Sequence, residues 1–317
     1  MKHLESAFKG KNSFWRYIVM FGSVLIVSNT IGGIPIFIAY ANKVVTNPEI
    51  IAELKANPSD LSVLGLDPNI SFLIMLFPFL AGLLTFFILI KPLNNRTLRQ
   101  TVNGTSAIRW NRFFVSALVW IGLSAAYLFI YKGIDPSNFT INNKSFTLLI
   151  LFGIAVLFLP FQAAFEEILF RGYLMQGFSV LAMNRWFPLI MTSLLFGLMH
   201  AFNPEIKEFG FFVMMPQYIL FGLLFGITTI LDDGIEIALG AHTANNVFMS
   251  IMVTNSSSVL QAPALFEQKH IDPWIDFGGL IISALLFLTV MRMIYNWDDI
   301  RLLWGKINRD EDGVQTM

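Results

Sequence analysis

Apolar and polar positions do not alternate along this chain; they come in blocks. Residues 145–162, SFTLLILFGIAVLFLPFQ, hold no ionised side chain at all. A transmembrane helix needs about 20 mostly apolar residues. Eight blocks read as candidates: Trp15–Tyr40, Ile70–Ile90, Phe113–Tyr131, Phe146–Phe170, Phe187–Phe202, Phe209–Leu231, Ile235–Thr254 and Ile275–Tyr295. The first is longer than the apolar core of a signal peptide, and positive residues flank it only on its N-terminal side. It therefore reads as a retained anchor. The longest polar interval, 41–69, carries Pro48, Pro58 and Pro68 and reads as an outer loop with a short helix. There is no internal repeat and no low-complexity tract, and the acidic end NRDEDGVQTM (308–317) reads as disordered. The fold class expected is an all-α integral membrane protein of about eight transmembrane helices.

Composition agrees with the pattern. Hydrophobic residues make up 55% of the 317 and charged residues only 13%, against about 25% charged in a soluble domain. Mean hydropathy is +0.64. The net charge of zero gives no electrostatic footprint for nucleic acid, and none is expected as a partner. The absence of cysteine excludes disulfides, thiol catalysis and Cys-ligated metals.

Cations set the orientation. Lys2, Lys9, Lys11 and Arg16 precede the first block, and Lys91, Arg96, Arg99, Arg109 and Arg112 fill the second loop. Arg185 follows the fourth block, and Arg292, Arg301, Lys306 and Arg309 end the chain. The opposite side has only Lys43, Lys55, Lys132, Lys144, Lys207 and Lys269. Both termini are therefore expected in the cytoplasm of a multi-pass cell-membrane protein. Trp15, Trp110, Trp186, Trp274 and Trp297 fall at block ends, as interfacial anchors do.

Ionisable residues inside apolar blocks cost about 2.5–3.5 kcal/mol each at a helix centre, so they are commonly functional or paired. Here they are Glu166, Glu167, Arg171, His200, Glu236 and His242, with Asn246 as a strong amide. His3 and His270 lie in a tail and a loop and read as solvated. Glu236 starts its block beside Asp232-Asp233-Gly234 and reads as interfacial and structural. Glu167 and Arg171 are spaced i, i+4 with the acid first, the favourable order for a helical ion pair. Glu166 points about 100° away from Glu167. It has no such partner at Phe170 or Gln162, so it must meet another helix or water. Phe196 and His200 share one helix face, with Gly197 permitting close approach, and Asn203-Pro204 ends that helix. His242 and Asn246 share another face beside Gly240 and Ala241. A carboxylate and a histidine can polarise and deprotonate water, and a histidine with an amide can donate to an oxyanion. Two histidines and a carboxylate are also a metal-ligand set.

In order, EEILFR (166–171), FGLMH (196–200) and HTANN (242–246) resemble the E-E-x-x-x-R, F-x-x-x-H and H-x-x-x-N motifs of the CPBP family of intramembrane proteases. That family includes the type II CAAX prenyl endopeptidases and bacterial Abi proteins. The resemblance covers roughly 145–255. It implies an intramembrane polar cavity in which Glu166, assisted by His200, activates water. His242 and Asn246 would stabilise the oxyanion, while Glu167 and Arg171 hold Glu166 or orient substrate. The family is often described as metalloprotease, yet its members also look like glutamate-dependent hydrolases. A divalent metal such as zinc is thus an open cofactor, with Glu166, His200 and His242 as its ligands. The organisation implied is one polytopic domain over 1–317. Its catalytic core is 145–255, with accessory helices in 1–144, and the last helix and a cytoplasmic tail in 256–317. Partners would be the bilayer and a peptide or membrane-protein substrate.

Bringing Glu166 to the depth of His200 requires the fourth helix to run on past Arg171 to about Met183, with a kink near Pro160. Arg171 is then an intramembrane charge paired with Glu167. The rival readings are a non-catalytic immunity or scaffold protein and a proton-coupled transporter. No inverted repeat favours the transporter.

Overall fold

Two of the eight apolar blocks fold as single helices of 17 residues or fewer, and they are the two that carry the histidine motifs. The structure is a computed structural model describing residues 3–52, 61–105, 107–255, 257–259, 261–297 and 299–307. Six helical stretches are long and apolar enough to span: Phe14–Thr46, Pro68–Asn94, Trp110–Ile134, Thr147–Ala182, Phe211–Asp232 and Pro273–Tyr295. The other two blocks fold as Trp186–Met199 and Glu236–Met252, of 14 and 17 residues. At 1.5 Å per residue they are about 21 and 26 Å long, against about 30 Å of hydrocarbon. Among the described residues six helical stretches are thus long and apolar enough to span, and by length and composition alone the expected eight are not reached.

The elements follow from local signals. Helices α1 (Phe14–Asn29) and α2 (Ile34–Thr46) share the first block, so Trp15–Tyr40 is two helices, not one. The break falls at Gly32 and Gly33, where a Cβ on Gly32 would stand 2.5 Å from Pro78 Cα. Helix α3 (Pro68–Met75) starts at Asp67, whose carboxylate accepts from Asn69 and Ile70 backbone N–H groups. Helix α4 (Phe77–Asn94) leads through a capping box into the short α5 (Leu98–Val102), and α6 is Trp110–Ile134. Helix α7 (Thr147–Glu167) passes through Pro160 into a π-helical turn, Ile168–Leu174, and then α8 (Met175–Ala182). The helix thus does run past Arg171 and stops at left-handed Met183 (φ 54°). Its irregular turn lies at 168–174. Helix α9 (Trp186–Met199), α10 (Pro204–Phe209), α11 (Phe211–Asp232), α12 (Glu236–Met252) and α13 (Pro273–Tyr295) complete the bundle. Helix α9 ends at Met199, so Asn203-Pro204 begins α10 and does not terminate α9. Helix α12 likewise gives up the last two residues of its predicted block to a small sheet. There β3 (Phe266–Gln268) pairs antiparallel with β1 (Phe139–Ile141) and parallel with β2 (Val253–Thr254).

Packing puts α12 at the centre, against both α6 and α7, while α9 lies on α11. Small residues permit this. A Cβ on Gly240 of α12 would strike the Phe113 carbonyl and the Ser116 hydroxyl of α6, and one on Gly172 would stand 2.6 Å from the Thr101 carbonyl oxygen. Outward faces carry exposed Ile88, Leu118, Phe129, Leu157 and Leu285, the pattern of helices facing lipid.

Two expectations about the ends of the chain are corrected. His3 is fully buried, not solvated. Its Nε2 lies 3.0 Å from the Arg171 carbonyl, and its backbone N–H donates to Asp233. The N-terminal segment has no apolar periodicity that could have announced this docking. Trp297 is also buried and donates its indole N–H to Asp232 at 3.2 Å, whereas Trp15, Trp110, Trp186 and Trp274 are exposed at helix starts. His270 is exposed. Glu236 is buried and accepts from Arg109 and Asn103, a structural network at the start of α12. The acidic end 308–317 lies outside the described residues.

Candidate active site

Three helices converge on a cavity of about 530 Å³ whose lining includes Glu166, His200 and Asn246. Each reaches it by local structure. Glu166 sits on the last turn of α7, just before the π-helical turn. A π turn adds a residue to the helical repeat and often marks a functional site. His200 is the residue immediately after α9 (φ −93°, ψ 2°), so its ring stands at a free helix end. Asn246 lies one turn beyond His242 on α12.

The hydrogen bonds divide the predicted residues into two groups. Behind the cavity, Glu167 and Arg171 form a fully buried ion pair, Nη1 to Oε1 at 2.8 Å. The guanidinium also donates to the Gly222 carbonyl at 3.2 Å and lies 4.3 Å from the Phe196 ring centroid. His242 Nδ1 meets the same Glu167 Oε1 at 2.8 Å. Glu167 ionised can only accept, so Nδ1 carries the hydrogen. His242 stacks on Phe225, and its Nε2 stands 3.6 Å from Glu166 Oε2, too far for a hydrogen bond. His242 is buried and does not line the cavity.

In front, Glu166 does have a local partner, contrary to expectation. Gln162, one turn earlier on α7, donates Nε2–H to Glu166 Oε1 at 2.5 Å. Among the described residues Glu166 Oε2 is buried without a hydrogen-bond partner. Asn246 Nδ2 donates to Gln162 Oε1 at 2.7 Å. Helix α12 is therefore joined to α7 twice, by His242 on Glu167 and by Asn246 on Gln162. His200 Nδ1 lies 2.7 Å from the Phe196 carbonyl oxygen, which can only accept. The imidazole is thereby held with Nε2 unprotonated when neutral. Its ring stacks on Tyr218, 4.4 Å between centroids.

The metal set does not assemble. Among the described residues no group of three His, Asp or Glu side chains is placed to hold a metal ion. Both histidines spend Nδ1 on an acceptor, the Phe196 carbonyl and Glu167, and keep Nε2 free. As arranged, Glu166, His200 and His242 are not grouped as a three-ligand centre.

The carboxylate, imidazole and amide that share this cavity belong to the three sequence motifs. Residues 143–248 match the Type II CAAX prenyl endopeptidase Rce1-like family. The matched segment contains all seven motif residues and Gln162. The chain is also similar to the uncharacterized protein YyaK of Bacillus subtilis (strain 168), at 29% identity over 278 residues, covering 87% of this chain and 90% of the relative. No solved structure matches.

Proposed function

We propose that the chain is an intramembrane endopeptidase that hydrolyses a peptide bond with a glutamate-activated water, and that 145–255 is its catalytic core. The observation that carries this is the shared cavity. A base, an imidazole and an amide donor, each from a different helix, line one space of about 530 Å³ inside a bundle of apolar helices.

In this reading Glu166 and His200 Nε2 both accept from a water in the cavity. Water attacks the peptide carbonyl, its proton passes to Glu166, and the carbonyl oxygen becomes an oxyanion. Asn246 keeps one N–H for that oxyanion, since its other N–H goes to Gln162. Glu166 then returns the proton to the leaving amine. The buried, unpartnered Oε2 supports Glu166 as the base, because an orphaned carboxylate oxygen costs stability unless it has a task. His242 takes a different part from the oxyanion donor expected from sequence. It stands behind the carboxylate and links Glu167 to the same helix as Asn246. No step is routed through a metal. The substrate is a peptide or membrane protein, and both termini are taken as cytoplasmic on the cation bias.

Glu166→Gln and His200→Ala in purified, detergent-folded protein are the test. Each should lower peptide cleavage by at least about 100-fold, the low end for a general base, with an unchanged melting profile. Undiminished cleavage in Glu166→Gln would remove the proposal and favour the scaffold reading.

A further inference from the structure

A one-way chain of hydrogen bonds runs through the wall of the cavity and ends on Glu166. Trp120 of α6 donates its indole N–H to Asn245 Oδ1 at 3.1 Å. Asn245 Nδ2 donates to Asn246 Oδ1 at 3.0 Å. Asn246 Nδ2 donates to Gln162 Oε1 at 2.7 Å, and Gln162 Nε2 to Glu166 Oε1 at 2.5 Å. The two ends fix the direction of everything between. An indole nitrogen can only donate, and an ionised carboxylate can only accept. Amide orientation is otherwise an assignment, but flipping any one amide here would set donor against donor and acceptor against acceptor. Trp120 is 2% and Gln162 5% exposed, while Asn245 and Asn246 between them are half-buried in the cavity wall.

We infer that Gln162 is a positioning residue for the reaction, the middle of a polarised relay from Trp120 to Glu166 that aims two reacting groups at once. This rests on the functional reading above. By accepting from Asn246, Gln162 leaves the other Asn246 N–H as the one free to meet an oxyanion. By donating to Glu166 Oε1, it fixes the carboxylate plane and leaves Oε2 as the proton acceptor. Successive bonds in such a chain polarise one another, so the charge on Glu166 strengthens the whole series back to the indole. Asn245 and Trp120 act through Asn246: without them the Asn246 amide can rotate and spend its donors elsewhere.

Two measurements test this, one of them independent of cleavage. In protein labelled with ¹⁵N-indole tryptophan, the Trp120 resonance is assigned by its loss in Trp120→Phe. Glu166→Gln should move that indole proton upfield, because the terminal acceptor loses its charge. In a Gln162→Leu background the same Glu166→Gln change should leave it unmoved. A shift that persists without Gln162, or no shift in either background, overturns the relay.

For the reaction, Gln162→Leu should lower kcat about 100-fold with KM nearly unchanged, as loss of aim does. Gln162→Met keeps the length of the side chain but has no donor for Glu166, so it should fail similarly; if Gln162→Leu does not fold, it replaces Leu in the resonance experiment too. Asn246→Ala added to Gln162→Leu should cost far less than the product of the single losses. Multiplicative losses, or a change in KM alone, would reduce Gln162 to a packing residue. Cleavage that does not depend on Glu166 at all would refute the functional reading, and the resonance experiment would still decide the relay.

Discussion

Removing Arg171 alone should cost more than removing it together with its partner. Arg171 and Glu167 are both 0% exposed and bonded at 2.8 Å. Truncating one member of a buried pair strands the other charge, at about 3–5 kcal/mol. Arg171→Met keeps the length of the chain, so packing loss is small and stranding of Glu167 dominates. His242 still donates to Glu167 Oε1, while Glu167 Oε2 already lacks a hydrogen-bond partner among the described residues. The cost should fall near the low end, about 3 kcal/mol. Glu167→Leu with Arg171→Met removes both charges, leaving the His242 N–H unpaired at about 1–3 kcal/mol. The double variant should therefore be no less stable than Arg171→Met. The assay is reversible unfolding in mixed micelles by SDS titration, read as a double-mutant cycle. A double variant whose loss equals the sum of the singles to within about 0.5 kcal/mol would refute the reasoning.

Stability should also depend on pH through His3. Burial holds its pKa below the ordinary 6.5, with the Arg171 carbonyl opposing. On lowering the pH the unfolded chain takes up the proton first. Stability is thus full above about pH 6.5 and falls as pH drops toward the folded-state value, by up to about 1.4 kcal/mol per unit. Melting temperatures across that range should fall more steeply for the native protein than for His3→Gln; equal slopes would contradict the burial. Gly172→Val should destabilise by about 1–3 kcal/mol, because a Cβ would stand 2.6 Å from the Thr101 carbonyl oxygen; an unchanged unfolding midpoint would show that α5 yields. Peptide cleavage should survive chelation, and purified protein should carry well under one equivalent of zinc by plasma mass spectrometry. Stoichiometric metal with chelator-sensitive cleavage would reverse the reading of the donor geometry.

The sequence made the helices and the motif residues legible because each has a strong physical marker. Charges in apolar blocks are few, so Glu166, Glu167, Arg171, His200 and His242 stand out. The i, i+4 rule identified the Glu167–Arg171 pair, and the need for Glu166 to reach the depth of His200 extended the helix past Arg171. What was not legible lacked such a marker. Gln162 is uncharged in an apolar run and looks like a tolerated polar residue; only the neighbouring helix reveals its two partners. The π-helical turn has no composition signal. Helix lengths failed where apolar blocks continue past the real ends, as at His200 and Val253. The burial of His3 and Trp297 depends on tertiary contacts of the chain ends that no periodicity records.

The 14-residue α9 has a consequence for the lipid around it. At about 21 Å it stands beside spans with enough length for the full bilayer, and Phe202, just beyond its end, is 96% exposed. Lipid next to such a helix must thin, or polar headgroups and water must follow the helix end inward. The membrane would then be thinnest beside the helix end where His200 stands. A substrate helix arriving from that side would lose hydrocarbon thickness before it meets the proposed catalytic groups. Its backbone could unwind there with water at hand to bond the freed amides, so the thinning of the bilayer would itself help to expose the bond to be cut.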